Sequence, residues 1–165
     1  MTGQDRLYLQ RLFAQTGHES TAMAIALSLE LLVQNNLPFD SSPRAVDELL
    51  RLTSPLIRFG RETTSETTLN GVPLPAGARV LVFFPLVNRD PEVFLEPNRI
   101  DLAREKNPHL SFGAGPHACF GADIARTVLS AALRAMASRK RPRHARSTPL
   151  VSAVTRGLEA LQLTE

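Results

Sequence analysis

The sequence predicts a mainly α-helical protein with small β-sheets, of the α+β class. No proline occurs before Pro38, which predicts one long helix over about residues 6–36. Turn signals at Asn70-Gly71 and Pro75-Ala76-Gly77 then punctuate a region of short strands. With 165 residues, the chain is long enough for one domain with a core and too short for two ordinary ones.

The long helix carries more apolar surface than a chain of this size can cover. Ala22–Val33 (AMAIALSLELLV) is apolar on nearly every face, and such a helix is normally surrounded by protein. Its roughly 30 residues span about 45 Å, whereas a compact chain of this length is only about 40 Å across. The sequence therefore predicts that this chain is part of a larger protein.

Two further elements precede the glycine-rich part of the chain. Ser42 is a suitable N-cap, and Pro43 suits the first turn of a second helix. Glu48 and Arg51 share a face of that helix, and taken alone they would be a surface pair worth under about 1 kcal/mol. Arg79–Leu86 (RVLVFFPL) is the best strand, and its continuous apolar run predicts burial on both faces.

The composition indicates a globular chain without a secretion or membrane segment. Hydrophobic residues make up 43% and charged residues 21%, which is typical of a folded domain. Asp5 and Arg6 stand where a signal peptide would have its apolar core, and Glu19 and Glu30 bracket the most apolar run. We therefore expect a cytoplasmic protein with no membrane partner. The single cysteine excludes an internal disulfide and a zinc site with two thiolates.

The basic charge is concentrated in Arg139–Arg146 (RKRPRHAR). This segment holds five Lys and Arg residues and no acid, and without it the net charge of +3 becomes −2. We interpret it as a solvated tether between two elements. Nucleic acid is not an expected partner, because tyrosine occurs once and tryptophan never, which leaves few groups to stack on bases.

Cys119 is the residue with the most distinctive chemistry. It lies in the glycine-rich segment Ser111–Gly121, directly before an apolar helix, and free N–H groups at a helix start favour a thiolate. Three interpretations are open: an inert buried thiol, a catalytic thiol whose base the sequence does not place, or a metal ligand whose partner ligands come from a cofactor. The single cysteine fits the last best.

The segment Phe112–Gly121 (FGAGPHACFG) resembles the haem-binding loop of bacterial cytochromes P-450. Other segments resemble landmarks of that family in the same order. Thr16–Thr21 is similar to the oxygen-activating signature of the long central helix, and Glu48–Arg51 is similar to the E-x-x-R pair. Asn88–Pro91 and Pro97–Arg99 are similar to the stretch that supplies a second arginine to that pair. Arg156–Leu161 is similar to the closing β-turn. The resemblance covers essentially the whole chain and implies a partial cytochrome P-450 fold, a fragment whose N-terminal half is absent.

The resemblance implies one partial domain over residues 1–165. Its expected parts are the long central helix (1–37), the E-x-x-R helix with the β region and meander (42–110), the cysteine loop and following helix (111–138), the basic tether (139–149) and the closing β-turn segment (150–165).

The cofactor that the resemblance implies is haem b, with Cys119 as the axial thiolate ligand of its iron. Arg61 and His117 would bind the propionates, since charge-assisted hydrogen bonds suit carboxylates. The residues expected to bind the cofactor are Cys119, His117, Arg61, Phe112, Gly113 and Gly121.

Glu19 and Ser20 would form the catalytic acid–alcohol pair that relays protons. The resemblance places them at a local distortion of the long helix. The family usually has threonine where Ser20 stands, so we expect weaker coupling. The alternative for Glu19 is an ordinary exposed carboxylate.

Glu48 and Arg51, joined by Arg99, would form a buried ion network that holds the meander. Arg58 would either select an acidic substrate or point to solvent, and we favour solvent. Arg126 would face the electron donor.

Three functions are carried forward. The first is a haem-thiolate monooxygenase that inserts one oxygen atom from dioxygen into a small organic substrate, with electrons from a ferredoxin or a flavoprotein. The second is a truncated, non-catalytic remnant with weak or no haem binding. The third is a binder of anionic partners through the basic segment. For the isolated chain of 165 residues, we place the remnant before the enzyme.

Overall fold

The computed structural model describes residues 2–164, the side chain of Gln15 excepted. Its helices and strands are α1 (Gly3–Gln34), α2 (Pro43–Thr53), β1 (Arg58–Glu62), β2 (Thr67–Leu69), β3 (Val72–Leu74), β4 (Arg79–Phe83), α3 (Phe84–Val87), α4 (Ala122–Ala137), β5 (His144–Pro149) and β6 (Leu158–Thr164), with one 3₁₀ turn at Gly115–His117. The strands form antiparallel pairs β1–β4, β2–β3 and β5–β6. The predicted class, mainly α with small β-sheets, is confirmed.

Helix α1 is covered at one end and bare at the other. Its start is capped by Thr2, whose hydroxyl accepts the Asp5 N–H at 3.2 Å while the Asp5 carboxylate accepts the Thr2 N–H at 2.7 Å. The buried positions lie in the C-terminal half, from Ala24 to Val33. In the N-terminal half, large apolar side chains are exposed, from 39% at Leu9 to 68% at Tyr8. The run Ala22–Val33, on which the sequence expectation rested, is thus largely covered, and the exposed apolar surface lies nearer the start of the helix.

The hydrophobic core lies where the C-terminal half of α1, helix α2 and helix α4 meet. Leu32 and Val33 from α1 pack in one cluster with apolar side chains of α2 and α4. The fully buried apolar members that α2 and α4 contribute to this cluster are Val46, Leu49, Leu129 and Leu133. Strands β5 and β6 close this core from the side through Ala145 and Leu163.

Helix α2 begins at the predicted residue. The Ser42 hydroxyl accepts the Ala45 N–H at 3.4 Å, and Pro43 occupies the first turn. From Glu48 to Pro55 every residue is buried, which is unusual for a stretch that contains two charged side chains.

Those two charges, Glu48 and Arg51, form a fully buried ion pair. Two nitrogens of Arg51, Nε and Nη2, each donate to one carboxylate oxygen of Glu48 at 2.8 Å. The remaining N–H groups of Arg51 donate to the carbonyls of Asn88, Pro97 and Arg99. All five guanidinium hydrogens are therefore engaged, and three of them bind the segment that follows α3.

Glu48 is equally well satisfied. Its oxygens also accept the Asp101 N–H at 3.0 Å, Arg104 Nε at 3.0 Å and Asn107 Nδ2 at 3.1 Å. Burial by itself raises the pKa of this carboxyl, but the donors from Arg51, Asp101 and Arg104 outweigh burial and hold the pKa of Glu48 below its usual value.

The prediction that the Arg99 side chain joins this network is wrong. Arg99 pairs with Glu96 at 2.8 Å on the surface, where its side chain is 63% exposed, and only its carbonyl meets Arg51. The second arginine is Arg104, whose side chain is 9% exposed. The meander turns Arg99 outward and brings Arg104 back over α2, and this path depends on contacts between distant residues.

The β region differs from expectation at its best strand. Strand β4 ends at Phe83, because Phe84–Val87 turns into the short helix α3 with Pro85 in its first turn. The strand alternates exposed and half-buried residues, and Leu81 is 46% exposed, so it is not buried on both faces. The Asn70-Gly71 turn is present as predicted, since Leu69 pairs with Val72 across it.

The basic segment is more ordered than a tether. Strand β5 starts at His144 inside it, and the preceding Arg143 N–H donates to the Thr164 carbonyl at 2.9 Å. Arg141 is half-buried and stacks on Phe39, with its guanidinium carbon 5.6 Å from the ring centroid. The strand forms because β6 supplies its pairing partner, which the sequence around His144 does not reveal.

We predict that Arg104→Met lowers the free energy of unfolding by about 1–3 kcal/mol, because it removes a charged donor from the buried Glu48 carboxylate. Arg99→Met is the matched control, and it leaves the urea midpoint unchanged because that side chain lies on the surface. Urea denaturation followed by circular dichroism measures both. If Arg99→Met proves as destabilising as Arg104→Met, the assignment of Arg104 to the network is wrong.

Candidate functional site

The cysteine loop is a hydrogen-bonded turn that leaves its thiol accessible. The Cys119 N–H donates to the Phe112 carbonyl at 2.8 Å, which closes the segment between them into a ring. Within this ring the Ala118 N–H donates to the Gly115 carbonyl at 3.0 Å. Cys119 is exposed, and α4 begins shortly after it at Ala122. The loop therefore presents one accessible thiol near the start of a helix.

Glycines shape the loop and leave open space along it. Gly113 and Gly115 have φ values of +69° and +74°, in the left-handed region that other residues rarely adopt. A Cβ added at Gly115 would meet nothing within 4 Å, and one at Gly121 would stand 4.0 Å from the Cys119 sulfur. Because residue 121 is a glycine, no side chain stands at this position against the sulfur.

This geometry fits a metal that arrives with most of its ligands. Within residues 2–164, no group of three or more His, Cys, Asp or Glu side chains is placed to hold a metal ion. A metal at Cys119 would therefore take one thiolate from the protein and its other ligands from a cofactor, which is the ligation pattern of haem-thiolate iron. The residues of the loop fit the predicted haem.

The stem of the loop is fixed by Asn88. This buried amide accepts the Leu110 N–H at 2.7 Å, and its Nδ2 donates to the hydroxyls of Ser54 and Ser111 at 2.8 Å. The Ser111 hydroxyl in turn donates to the Leu50 carbonyl of α2 at 2.9 Å. The sequence analysis did not predict the side-chain role of Asn88, because the sequence alone does not distinguish an asparagine in a turn from a buried asparagine that anchors a loop.

A second anchor of the stem joins Asp47, His109, Phe112 and Arg126. The Asp47 carboxylate on α2 accepts Arg126 Nε from α4 at 2.7 Å and lies 3.3 Å from His109 Nε2. Arg126 also covers the Phe112 ring, with its guanidinium carbon 4.7 Å from the ring centroid. Arg126, expected to face an electron donor, is half-buried in this anchor. The sequence analysis did not identify Asp47 or His109 as site residues. The signal that could have identified His109 is its position three residues before Phe112.

Burial favours the neutral form of His109. Its side chain is only 3% exposed, and burial lowers the pKa of the imidazole below its ordinary value of 6.5. Asp47 opposes that shift and the positive charges of Arg126 and Arg51 add to it. The Ser111 N–H donates to Nδ1 at 3.3 Å, so the proton of the neutral ring lies on Nε2, facing Asp47.

Glu19 and Ser20 lie on an uninterrupted part of α1. The Ser20 hydroxyl donates to the Thr16 carbonyl at 2.9 Å, and the Thr16 hydroxyl donates to the Leu12 carbonyl at 2.7 Å. Glu19 is exposed. The expected local distortion is absent from the described helix, which is continuous over Gly3–Gln34. Both hydroxyls bond back to carbonyls of the preceding turn without opening the helix.

Two contacts bring α1 close to the other predicted site elements. Phe13 of α1 meets Phe120 of the cysteine loop edge to face, with ring centroids 5.8 Å apart. A cavity of about 350 Å³ lies between α1 and β6, and Glu19 lines it together with His18 and the segment Leu158–Leu161. The predicted catalytic acid and the predicted closing turn therefore share one cavity.

The predicted propionate ligands lie on different elements. His117 is exposed in the 3₁₀ turn just before Cys119. Arg61 is exposed on β1, where its Nη1 donates to the Gly60 carbonyl at 2.8 Å. Arg58 does not simply point to solvent, because it is half-buried and its Nε donates to the Ala153 carbonyl at 3.1 Å.

The family model described as Cytochrome P-450 matches residues 35–139 of the chain. This stretch contains α2, the buried ion network and the cysteine loop. The chain belongs to the cytochrome P-450 family. The resemblance seen in the sequence is thereby confirmed at the level of the family.

Relatives of this P-450 chain include enzymes and solved structures. It is 41% identical over 133 residues to nocardicin C N-oxygenase of Nocardia uniformis subsp. tsuyamanensis, which covers 74% of this chain and 33% of the relative. It is 35% identical over 135 residues to the biotin biosynthesis cytochrome P-450 of Bacillus subtilis, covering 78% and 34%. The structure of CYP109E1 from Bacillus megaterium in complex with corticosterone matches with a TM-score of 0.92 and 26% identity.

The P-450 chain matches only part of each of these proteins. It spans about a third of the length of the curated relatives, and the CYP109E1 match covers 99% of this chain but 47% of that one. The predicted partial P-450 fold is confirmed by this match. None of the helices within residues 2–164 combines the length and the apolar character that crossing a membrane requires.

We predict that the free energy of unfolding falls as pH drops from about 6.5 toward the lower pKa of folded His109. In this range the unfolded chain binds a proton at the imidazole that the folded chain does not bind. His109→Gln removes this part of the pH dependence. His18→Gln, which changes an exposed histidine of α1, is the control and retains it. Urea titrations between pH 5.5 and pH 7.5 measure the slope, and an equal slope in His109→Gln and the native chain contradicts the prediction.

Proposed function

We propose that this chain carries the haem-binding and oxygen-activating portion of a cytoplasmic haem-thiolate monooxygenase. The observation that carries the proposal is the accessible Cys119 thiol on a glycine loop with open space beside the sulfur, in a chain of the P-450 family. Haem b bound there supplies dioxygen activation and the insertion of one oxygen atom into an organic substrate. The chain's own residues bind and orient that group and move protons.

Cys119 would provide the thiolate, and the hydrogen bond from its N–H to the Phe112 carbonyl holds the Cys119 backbone in the loop. Gly121, which sets no side chain against the sulfur, would leave room for the macrocycle, and Gly113 allows the left-handed turn of the loop. His117 and Arg61, both exposed cations or hydrogen-bond donors, hold the two propionate carboxylates.

Glu19 and Ser20 form the proton-relay pair of α1. Glu19 lines the cavity shared with β6, which makes it accessible to water and to a substrate. The Ser20 hydroxyl is bonded to the Thr16 carbonyl, and rotation about one bond frees it to donate elsewhere. Serine lacks the methyl group that restricts a threonine rotamer, so we expect weaker coupling of electron use to product formation.

The substrate is a small organic molecule, and the electrons come from a ferredoxin or a flavoprotein. The cavity between α1 and β6 is lined mainly by small and apolar side chains, including Ala22, Met23, Ala26 and Leu161. That lining suits an apolar substrate body beside the Glu19 carboxylate.

One observation favours a second function, a non-catalytic remnant. The N-terminal half of α1 exposes large apolar side chains, and an exposed apolar surface of this kind promotes association. The chain also spans only about a third of the curated relatives. Turnover of a generic substrate with peroxide or a surrogate electron donor separates the two functions, since a remnant gives no product even when haem is bound.

We predict that the full chain, reconstituted with haem and reduced under carbon monoxide, shows the red-shifted Soret band of thiolate-ligated iron. Cys119→Ala abolishes that band because the chain has no other cysteine. His144→Gln, at an exposed histidine on β5, is the control and keeps it. The same spectrum from Cys119→Ala and the native chain defeats the ligand assignment, and a chain that stays colourless supports the remnant.

A further inference from the structure

Three elements of the fold meet at a single carboxylate oxygen. Oδ1 of Asp47, on α2, accepts Arg126 Nε of α4 at 2.7 Å and the His109 Nε2–H of the loop stem at 3.3 Å. The Asp47 side chain is 31% exposed and the His109 side chain 3%, so the histidine is fixed on the inner side of this junction. One acceptor atom therefore connects α2, the stem of the cysteine loop and α4.

The same two donors hold the Phe112 ring from two directions. The guanidinium carbon of Arg126 lies 4.7 Å from the ring centroid, and the His109 ring centroid lies 5.9 Å away at an interplanar angle of 50°. Asp47 itself is linked to the ring only through these two side chains. The direction of the Phe112 side chain thus depends on where Asp47 places its donors.

Phe112 passes this constraint to the cysteine. Its carbonyl accepts the Cys119 N–H at 2.8 Å, and this bond closes the loop. A displacement of the Phe112 ring that is transmitted to the backbone of that residue would lengthen or break this bond. The Asn88 anchor bonds Ser111 and Leu110, whereas the Asp47 junction acts on the Phe112 ring, so the two anchors constrain different residues of the stem.

We propose that Asp47 is a positioning residue for the cysteine loop, acting through His109 and Arg126 on Phe112 and, through the Phe112 carbonyl, on Cys119. Asp47 is not a catalytic residue, since it reaches the thiol only through other groups. Its meaning for haem ligation rests on the proposed function, whereas its effect on the loop is a property of the chain alone.

Amide hydrogen exchange of the full chain without haem tests the proposal. Asp47→Ala removes the shared acceptor and accelerates exchange of the Cys119 N–H by about ten- to a hundredfold, the factor expected for one lost charge-assisted hydrogen bond. Asp47→Asn keeps an acceptor oxygen without the charge and gives an intermediate acceleration. Amides in the core, such as those of Leu49 and Leu133, exchange as in the native chain because the helices stay packed.

Asp123→Asn is the matched control. Asp123 also touches Arg126, at 3.5 Å, but it is fully exposed and has no contact with His109 among the described hydrogen bonds. The Asp123→Asn variant leaves the exchange rate of the Cys119 amide unchanged. An Asp47→Ala chain whose Cys119 amide exchanges at the control rate overturns the proposal. So does one in which the core amides accelerate equally, because Asp47 then stabilises the whole fold and not the loop.

A second readout follows the His109 imidazole by nuclear magnetic resonance. The charged groups that face it are Asp47 and Arg51 of α2 and Arg126 of α4. Asp47→Asn lowers the pKa of His109 further, whereas Arg126→Gln raises it. No movement in either variant contradicts the junction. Neither measurement uses haem, so a failed reconstitution overturns the proposed function and leaves this inference standing.

Discussion

The structure depends on one buried ion pair. Glu48 and Arg51 are fully buried and lie three residues apart on α2. Together they make eight hydrogen bonds: two to each other, three from Arg51 to backbone carbonyls, and three to Glu48 from Asp101, Arg104 and Asn107. A buried pair is costly to desolvate, and it stabilises a fold only when the remaining donors and acceptors are satisfied. Here they are satisfied by backbone groups and by the Arg104 and Asn107 side chains of the segment after α3, so the pair depends on the native path of that irregular segment.

Helix α2 is therefore a platform for the functional loop as well as a core helix. Its apolar face packs against α1 and α4 through Leu49 and its neighbours. Glu48 and Arg51 hold the meander, the Leu50 carbonyl receives the Ser111 hydroxyl, and Asp47 holds the second anchor of the loop stem. A short helix with many satisfied polar contacts can thus hold a loop that has almost no regular structure of its own.

The long helix α1 shows the opposite situation. Its C-terminal half is covered by α2, α4 and the β5–β6 sheet, while its N-terminal half exposes a row of large apolar side chains. Phe13 finds one partner in Phe120, and the rest of that half packs little. The N-terminal half of α1 therefore carries an apolar surface without cover, whereas Glu19 further along the same helix lines a cavity shared with β6.

Local signals in the sequence determined where elements begin and turn. The Ser42 cap, the Asn70-Gly71 hairpin and the loop around Cys119 each depend on a few adjacent residues, so they could be read directly. Tertiary structure alone decided which arginine joins Glu48, since Arg99 and Arg104 differ only in how the meander folds back. It also decided the exposure of β4, the pairing that makes His144–Pro149 a strand, and the lowered pKa of His109, because each depends on residues far away in the chain.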